Sequence, residues 1–122
     1  MILVDSSSWI HFLRPNGDPA VRARVEAALT AGKACWCPLV RLELWNGAAG
    51  AREKKILRDF EAVLPELPFD DEVWASAFEL ARKARSAGVS VPATDLLIAV
   101  CARRHRAVLE SSDSDFDRLA EL

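Results

Sequence analysis

Apolar residues follow two patterns along this chain: short uninterrupted runs, and longer stretches in which they recur every three or four positions. The runs at residues 2–4, 34–37 and 107–109 are too short for helices. They predict strands buried on both faces, as in a parallel sheet. Residues 64–69 contain two prolines, so any strand there is short or at an edge of the sheet.

The longer stretches have helical spacing and predict helices between these strands. Their ranges are residues 8–13, 21–29, 38–47, 52–64, 70–88 and 92–104, with a terminal helix or turn over residues 113–122. Alternation of strands and helices is typical of a parallel sheet with right-handed crossovers. We therefore predict an α/β fold with a mostly parallel sheet of four to five strands between two layers of helices.

Composition places the chain among globular proteins. Its 122 residues and 51% hydrophobic content predict one domain, residues 1–122, with a substantial core. The apolar runs are too short to span a membrane, and the N-terminus lacks the basic and apolar regions of a signal peptide. Three cysteines, an odd number, favour reduced thiols packed in the core. These features predict a cytoplasmic protein without a membrane partner.

Four acidic residues follow strands or open the helices after them, and all four map to the same end of the predicted sheet. They are Asp5, Glu43, Asp95 and Asp113. Carboxylates crowded together repel each other unless a hard cation neutralises them. Oxygen ligands without a nearby His or Cys favour Mg²⁺, or Mn²⁺, over zinc. The pattern therefore predicts a divalent metal site.

Each of these acids also has a simpler explanation. Asp5 and Asp95 can serve helix N-termini, and Asp113 can serve a turn. Glu43 can pair with Arg41 or Arg14 on a surface. Convergence of all four on one sheet end is what favours the metal site over these separate roles.

The net charge of −2 at first argues against a polyanionic partner. When the four acids and Asp115 are set aside, however, the rest of the chain carries more basic than acidic residues. A mildly basic body around a metal-filled acidic pocket suits a polyanion such as a nucleic acid. Trp45, close to Glu43, has two interpretations: a core residue, or part of a groove that binds a partner.

Other metal-dependent phosphotransfer enzymes on α/β sheets fit less well. A haloacid-dehalogenase-like phosphatase needs a second Asp two residues after Asp5, where this chain has Ser7. A receiver domain needs a Lys after a late strand, and residues 107–111 contain none. A non-catalytic interaction module remains open as an alternative.

Four segments, at residues 3–10, 43–47, 95–99 and 111–116, resemble the PIN-domain family, and within it the VapC toxins of bacterial toxin–antitoxin pairs. The resemblance implies a metal-binding quartet, a hydroxyl that supports the first carboxylate, and an auxiliary acid. In this chain these are Asp5, Glu43, Asp95 and Asp113, then Ser7, and then Asp115.

The resemblance implies a Mg²⁺-dependent endoribonuclease that cleaves RNA and thereby inhibits translation and growth. It also implies inhibition by a cognate VapB-like antitoxin, a homodimer, and DNA binding only through the antitoxin complex. Two features depart from the family's pattern. Glu110 stands where an apolar residue is usual, and many relatives continue beyond the position of Leu122 into another short strand.

Overall fold

The computed structural model describes residues 1–122, which form three short strands and seven helices. The strands are β1 (Ile2–Val4), β2 (Ala34–Cys35) and β3 (Val108–Glu110). The helices are α1 (Ser6–Leu13), α2 (Pro19–Thr30), α3 (Pro38–Gly47), α4 (Gly50–Val63), α5 (Asp71–Ser86), α6 (Ala93–Arg104) and α7 (Asp115–Leu119). The predicted α/β class is confirmed: a small parallel sheet is flanked by helices.

The sheet has the order β2-β1-β3, and both neighbours run parallel to β1. The predicted count of four to five strands is wrong, because the fourth element is reduced to a single bridge between Trp36 and Glu66. In that bridge the Trp36 N–H donates to Pro65 O, and the Leu67 N–H donates to Trp36 O. Pro65 has no N–H to donate to Ala34 O, and Pro38 has none to donate to Leu67 O, so the ladder cannot extend in either direction.

The core contains 26 buried apolar residues, and β1 runs through it. Leu3 and Val4 are fully buried, as a strand covered on both faces requires. Trp9 of α1 is also fully buried and stacks obliquely on Phe60 of α4, with ring centroids 5.1 Å apart. Core packing therefore joins the first strand to the helices around it.

The cysteines lie within this core. Cys35, Cys37 and Cys101 are all free thiols and all buried. Burial raises the pKa of the Cys35 thiol to about 11, so it is a neutral apolar group at pH 7. This confirms the packing interpretation of the cysteines.

The strand order determines where side chains can meet. The chain leaves β1 toward β2 on one side, and later returns to β3 on the other side of β1. Such a reversal opens a crevice beyond the carboxyl ends of the strands, and ligands of open α/β sheets bind there. Asp5 directly follows β1, and Ser111 directly follows β3.

None of the helices has both the length and the apolar character needed to cross a lipid bilayer.

Candidate metal site

Asp5 lies at the carboxyl end of the central strand and is only 4% exposed. Its side chain caps α1 by accepting the Ser7 N–H at 3.3 Å, so the predicted capping role is real. The same oxygen, Oδ2, accepts the Ser7 hydroxyl at 2.7 Å and the Ser111 hydroxyl at 3.2 Å. All these hydrogen bonds fall on Oδ2, so they orient the carboxylate without using its other oxygen.

Ser111 connects the first strand to the last acidic loop. Its hydroxyl lies 3.1 Å from the Ser7 hydroxyl and accepts the Asp113 N–H at 2.9 Å. Ser111 was not among the predicted site residues. Its contact with Asp5 joins residues 106 positions apart, which no local pattern reveals. Two signals were available: its place at the end of a predicted strand, and its position in the family-like segment 111–116.

Three carboxylates converge beside this serine. Asp95, Asp113 and Asp115 each offer an oxygen, and these oxygens lie within 4.8 Å of one another. The Asp115 N–H donates to Asp113 Oδ1 at 2.9 Å, which holds the loop in a tight turn. Asp115, predicted only as an auxiliary acid, therefore lies in the closest acidic group of the chain.

Asp95 is the acid whose state is most perturbed. It opens α6 and is 9% exposed, and its Oδ2 is buried without a hydrogen-bond partner. Burial first, and then the charges of Asp113, Asp5, Asp115 and Glu43, raise the pKa of Asp95 to about 6. A buried anion among anions is unfavourable, so this oxygen needs either a proton or a cation.

Glu43 lies in the helix after β2, as predicted, and approaches the site from α3. Its Oε1 accepts the Ser6 hydroxyl at 3.3 Å. Burial and the charge of Asp5 raise the pKa of Glu43. The alternative pairing with Arg41 is wrong, because Arg41 binds Glu61 and Glu66. Asp5 and Glu43 lie outside the closest acidic group, yet both charges act on Asp95.

Glu110, the residue that departs from the family's pattern, has a defined partner on each side. Its Oε2 accepts the buried Ser8 hydroxyl at 2.8 Å, and its Oε1 lies 2.6 Å from Arg24 Nε. Its main-chain carbonyl accepts the Asp5 N–H at 2.8 Å. The additional acid is therefore paired with a cation and fixes the end of β3 against both α1 and α2.

Trp45 is half-buried, and its indole Nε1 donates to Glu61 at 3.2 Å. It packs against the core on one side. These contacts account for the position of the Trp45 side chain, and its role in partner binding stays a prediction.

The donor set fits a hard divalent cation. Every group in the crevice offers oxygen, and the two histidines are engaged elsewhere, His11 with the Asp18 N–H and His105 with Pro68 O. The unpartnered Asp95 oxygen is the specific observation that favours a cation here. Carboxylate and hydroxyl oxygens in this number suit Mg²⁺ or Mn²⁺ better than zinc.

Comparisons with known proteins agree with the fold. Residues 2–122 match the PIN domain family, so the chain belongs to that family. The chain is similar to ribonuclease VapC11 of Mycobacterium tuberculosis, with 34% identity over 100% of this chain and 93% of the relative. Ribonuclease VapC18 of the same organism is 33% identical, with coverage of 98% and 87%.

Solved structures show the same fold. DNA-bound VapBC from Salmonella typhimurium gives a TM-score of 0.80 at 19% identity, covering 98% of this chain and 92% of that one. VapBC2 from Rickettsia felis, bound to a fragment of its promoter DNA, gives 0.79 at 20% identity, covering 100% and 96%. The family recognised from the four sequence segments is confirmed.

Proposed function

We propose that this protein is a Mg²⁺-dependent endoribonuclease, with Mn²⁺ as a possible substitute, and the toxin of a VapBC-type toxin–antitoxin pair. It cleaves RNA in the cytoplasm and so inhibits translation and growth. Similarity over the full chain to VapC ribonucleases supports the activity. The buried, unpartnered oxygen of Asp95 among four other acids is the observation that carries the metal requirement.

The proposed ligands are the four acids of the predicted quartet. Asp5 and Asp95 would hold the cation, with Glu43 and Asp113 as direct or water-mediated ligands. Ser7 fixes the Asp5 carboxylate, and Asp115 supports Asp113 from the adjacent turn. A bound divalent ion lowers the pKa of water and offsets charge on the phosphoryl oxygens.

The chain's own residues orient the reaction. Ser7 and Ser111 donate their hydrogen bonds to one Asp5 oxygen, Oδ2, and Oδ1 would remain available to hold the cation. Water attack on phosphorus forms the new P–O bond and releases the 3′ oxygen, which takes up a proton. The products are a 5′-phosphate and a 3′-hydroxyl. A route through a 2′,3′-cyclic phosphate is disfavoured, because neither histidine lies in the crevice.

The central test compares Asp5→Asn with Asp59→Asn. Asp5→Asn should abolish RNA cleavage while the protein still folds, because the substitution keeps the shape of the side chain. Asp59 is an exposed acid on α4 paired with Lys55, so its variant should cleave like wild type. Cleavage is measured on purified protein with single-stranded RNA across a Mg²⁺ titration. Wild-type cleavage in EDTA, or full activity of Asp5→Asn, would overturn the mechanism.

The same titration separates the alternatives. A non-catalytic PIN-fold module binds RNA without cutting it at any Mg²⁺ concentration. Family membership removes the other metal-dependent phosphotransfer classes, such as phosphatases, from consideration.

We propose a VapB-like antitoxin as the protein partner, because the structural neighbours include VapBC complexes. DNA binding belongs to that complex, with the antitoxin reading the DNA. Trp45 is the proposed contact residue for the partner, since its α3 also carries Glu43.

We also propose a homodimer. Trp74 and Phe78 on α5 are 43% and 58% exposed, and with Leu39 and Leu97 they line an apolar groove of about 280 Å³. Adjacent exposed aromatic rings and a groove can complement each other across a two-fold axis. The groove extends to Thr94, next to Asp95 in the chain, so a second copy would lie near the metal site.

A further inference from the structure

Arg118 is the one cation that pairs with a candidate metal-site acid. Of the seven ion pairs in the structure, only the Arg118–Asp115 contact, at 3.9 Å, involves any of the five acids. That distance is too long for a hydrogen bond. Arg118 Nη1 instead donates to Ser90 O at 2.6 Å, in the segment between α5 and α6.

The Arg118 guanidinium is therefore held in place, while most of its N–H donors remain free. Its side chain is 48% exposed, and it has five N–H donors, of which one hydrogen bond to Ser90 uses only one. A guanidinium held in place with free donors is suited to phosphate, which it can bind with two parallel hydrogen bonds. Asp115 places it at the mouth of the metal site.

Ser90 also lines a groove. It has a volume of about 520 Å³ and lies between the end of α5, the segment before α6, and Leu96. Arg85 lines it and is absent from the seven ion pairs, and Val89 and Leu96 give it an apolar wall. This volume is within the range of small-ligand sites, and the mixture of cation and apolar wall suits a nucleotide.

We propose that Arg118 and this groove bind the RNA strand that flanks the cleaved phosphodiester. Arg118 holds a phosphate beside the metal site, the groove receives the adjoining nucleotide, and Arg85 contacts the next phosphate. The assignment rests on the proposed ribonuclease function. It explains how a chain of net charge −2 holds a polyanion close to five carboxylates: two specific arginines, rather than a general basic surface, bind the backbone.

The test measures RNA affinity as a function of salt. Each phosphate contact on single-stranded nucleic acid adds about 0.7 to the slope of log affinity against log salt. A short fluorescent single-stranded RNA is titrated in Mg²⁺ with Asp5→Asn protein, which keeps the RNA intact. Adding Arg118→Gln or Arg85→Gln should each weaken binding and reduce the slope by about 0.7. Adding Arg118→Lys, which keeps the charge, should preserve the slope.

Arg104→Gln is the matched control. Arg104 is 45% exposed and ion-paired with Glu72, but it ends α6, whereas Asp95 begins that helix. Its substitution should leave the slope unchanged. In otherwise wild-type protein, calorimetric Mn²⁺ affinity should also be unchanged by Arg118→Gln. Unchanged slopes would overturn the proposal, and so would a loss of Mn²⁺ affinity, which would make Arg118 a positioning residue for the acids. Failure of wild type to cleave any RNA would instead overturn the proposed function.

Discussion

At the residue scale, Asp95 connects the electrostatics of the site to its chemistry. Its burial and its four acidic neighbours make the ionised form unfavourable in the metal-free protein. The same features become favourable once a divalent cation is present, because the cation is surrounded by charge of the opposite sign. The arrangement of these acids therefore favours metal binding and lowers the stability of the metal-free fold.

This arrangement predicts how stability depends on pH in EDTA. An ordinary Asp has a pKa near 3.9 in an unfolded chain, whereas the pKa of Asp95 in the fold is about 6. The folded state binds more protons between these values, so the Asp95 contribution to stability falls as pH rises from about 4 to 6. Asp95→Asn should stabilise the metal-free protein at pH 7 by on the order of 3 kcal/mol.

Urea unfolding in EDTA at several pH values measures this effect. The difference between Asp95→Asn and wild type should be near zero below about pH 4, grow through pH 6, and then level off. A constant difference across this range would show that the Asp95 carboxyl is not perturbed by its neighbours.

The Ser111 hydroxyl gives a second prediction at this scale. Ser111→Ala removes its hydrogen bonds with Asp5, Ser7 and the Asp113 N–H. Loss of a residue that orients metal ligands typically reduces metal affinity about 10- to 100-fold. The fold should lose only about 1 kcal/mol per hydrogen bond. Calorimetry with Mn²⁺ and urea unfolding measure the two effects.

Ser112→Ala is the control, because Ser112 contributes its main-chain N–H to Ser7 and its exposed side chain makes no hydrogen bond. Equal Mn²⁺ affinities for the two variants would show that Ser111 does not orient the metal ligands.

At the element scale, α2 is tied to the end of β3 by the Arg24–Glu110 ion pair. The Glu110 side chain is 13% exposed, so removal of Arg24 would leave a largely buried carboxylate without its cationic partner. Arg24→Met should lower the Tm. Adding Glu110→Gln should recover part of the loss, since Gln carries no charge and still accepts from Ser8. Thermal unfolding of the single and double variants tests this. Arg58→Met, an exposed arginine on α4, should have no effect on the Tm.

Much at this scale followed from sequence pattern. The runs at residues 2–4 and 107–109 fall on β1 and β3, and the helical stretches fall on α1 to α7, with ends displaced by a few residues. The predicted burial on both faces is wrong for β3, because it is an edge strand on which Val108 is 67% exposed. The acids were placed correctly at one sheet end because strand direction fixes which side chains follow which strands. The serine network was not predicted, since it joins hydroxyls from opposite ends of the chain. The strand count was wrong because the segment at residues 64–69, although extended, forms only one bridge. Pro65 lacks the N–H that a longer ladder would need.

At the scale of the whole molecule, the exposed aromatics on α5 predict the state of association. Phe78→Glu places a charge in the apolar groove and should convert a dimer to a monomer, as measured by light scattering after gel filtration. Val63→Glu is the matched control, because Val63 is 73% exposed on α4 and does not line the groove. A monomeric wild type, or a dimeric Phe78→Glu, would contradict the proposed dimer.

The hydrogen bond between Asp5 and Ser111 spans 106 positions of the chain, and the acidic group needs Asp115 as well. During synthesis, a growing chain presents its first carboxylate long before the others exist. The pocket can therefore form only when translation of these last positions is finished. A ribonuclease of the proposed kind, built this way, would not attack RNA while most of it is still being made on the ribosome.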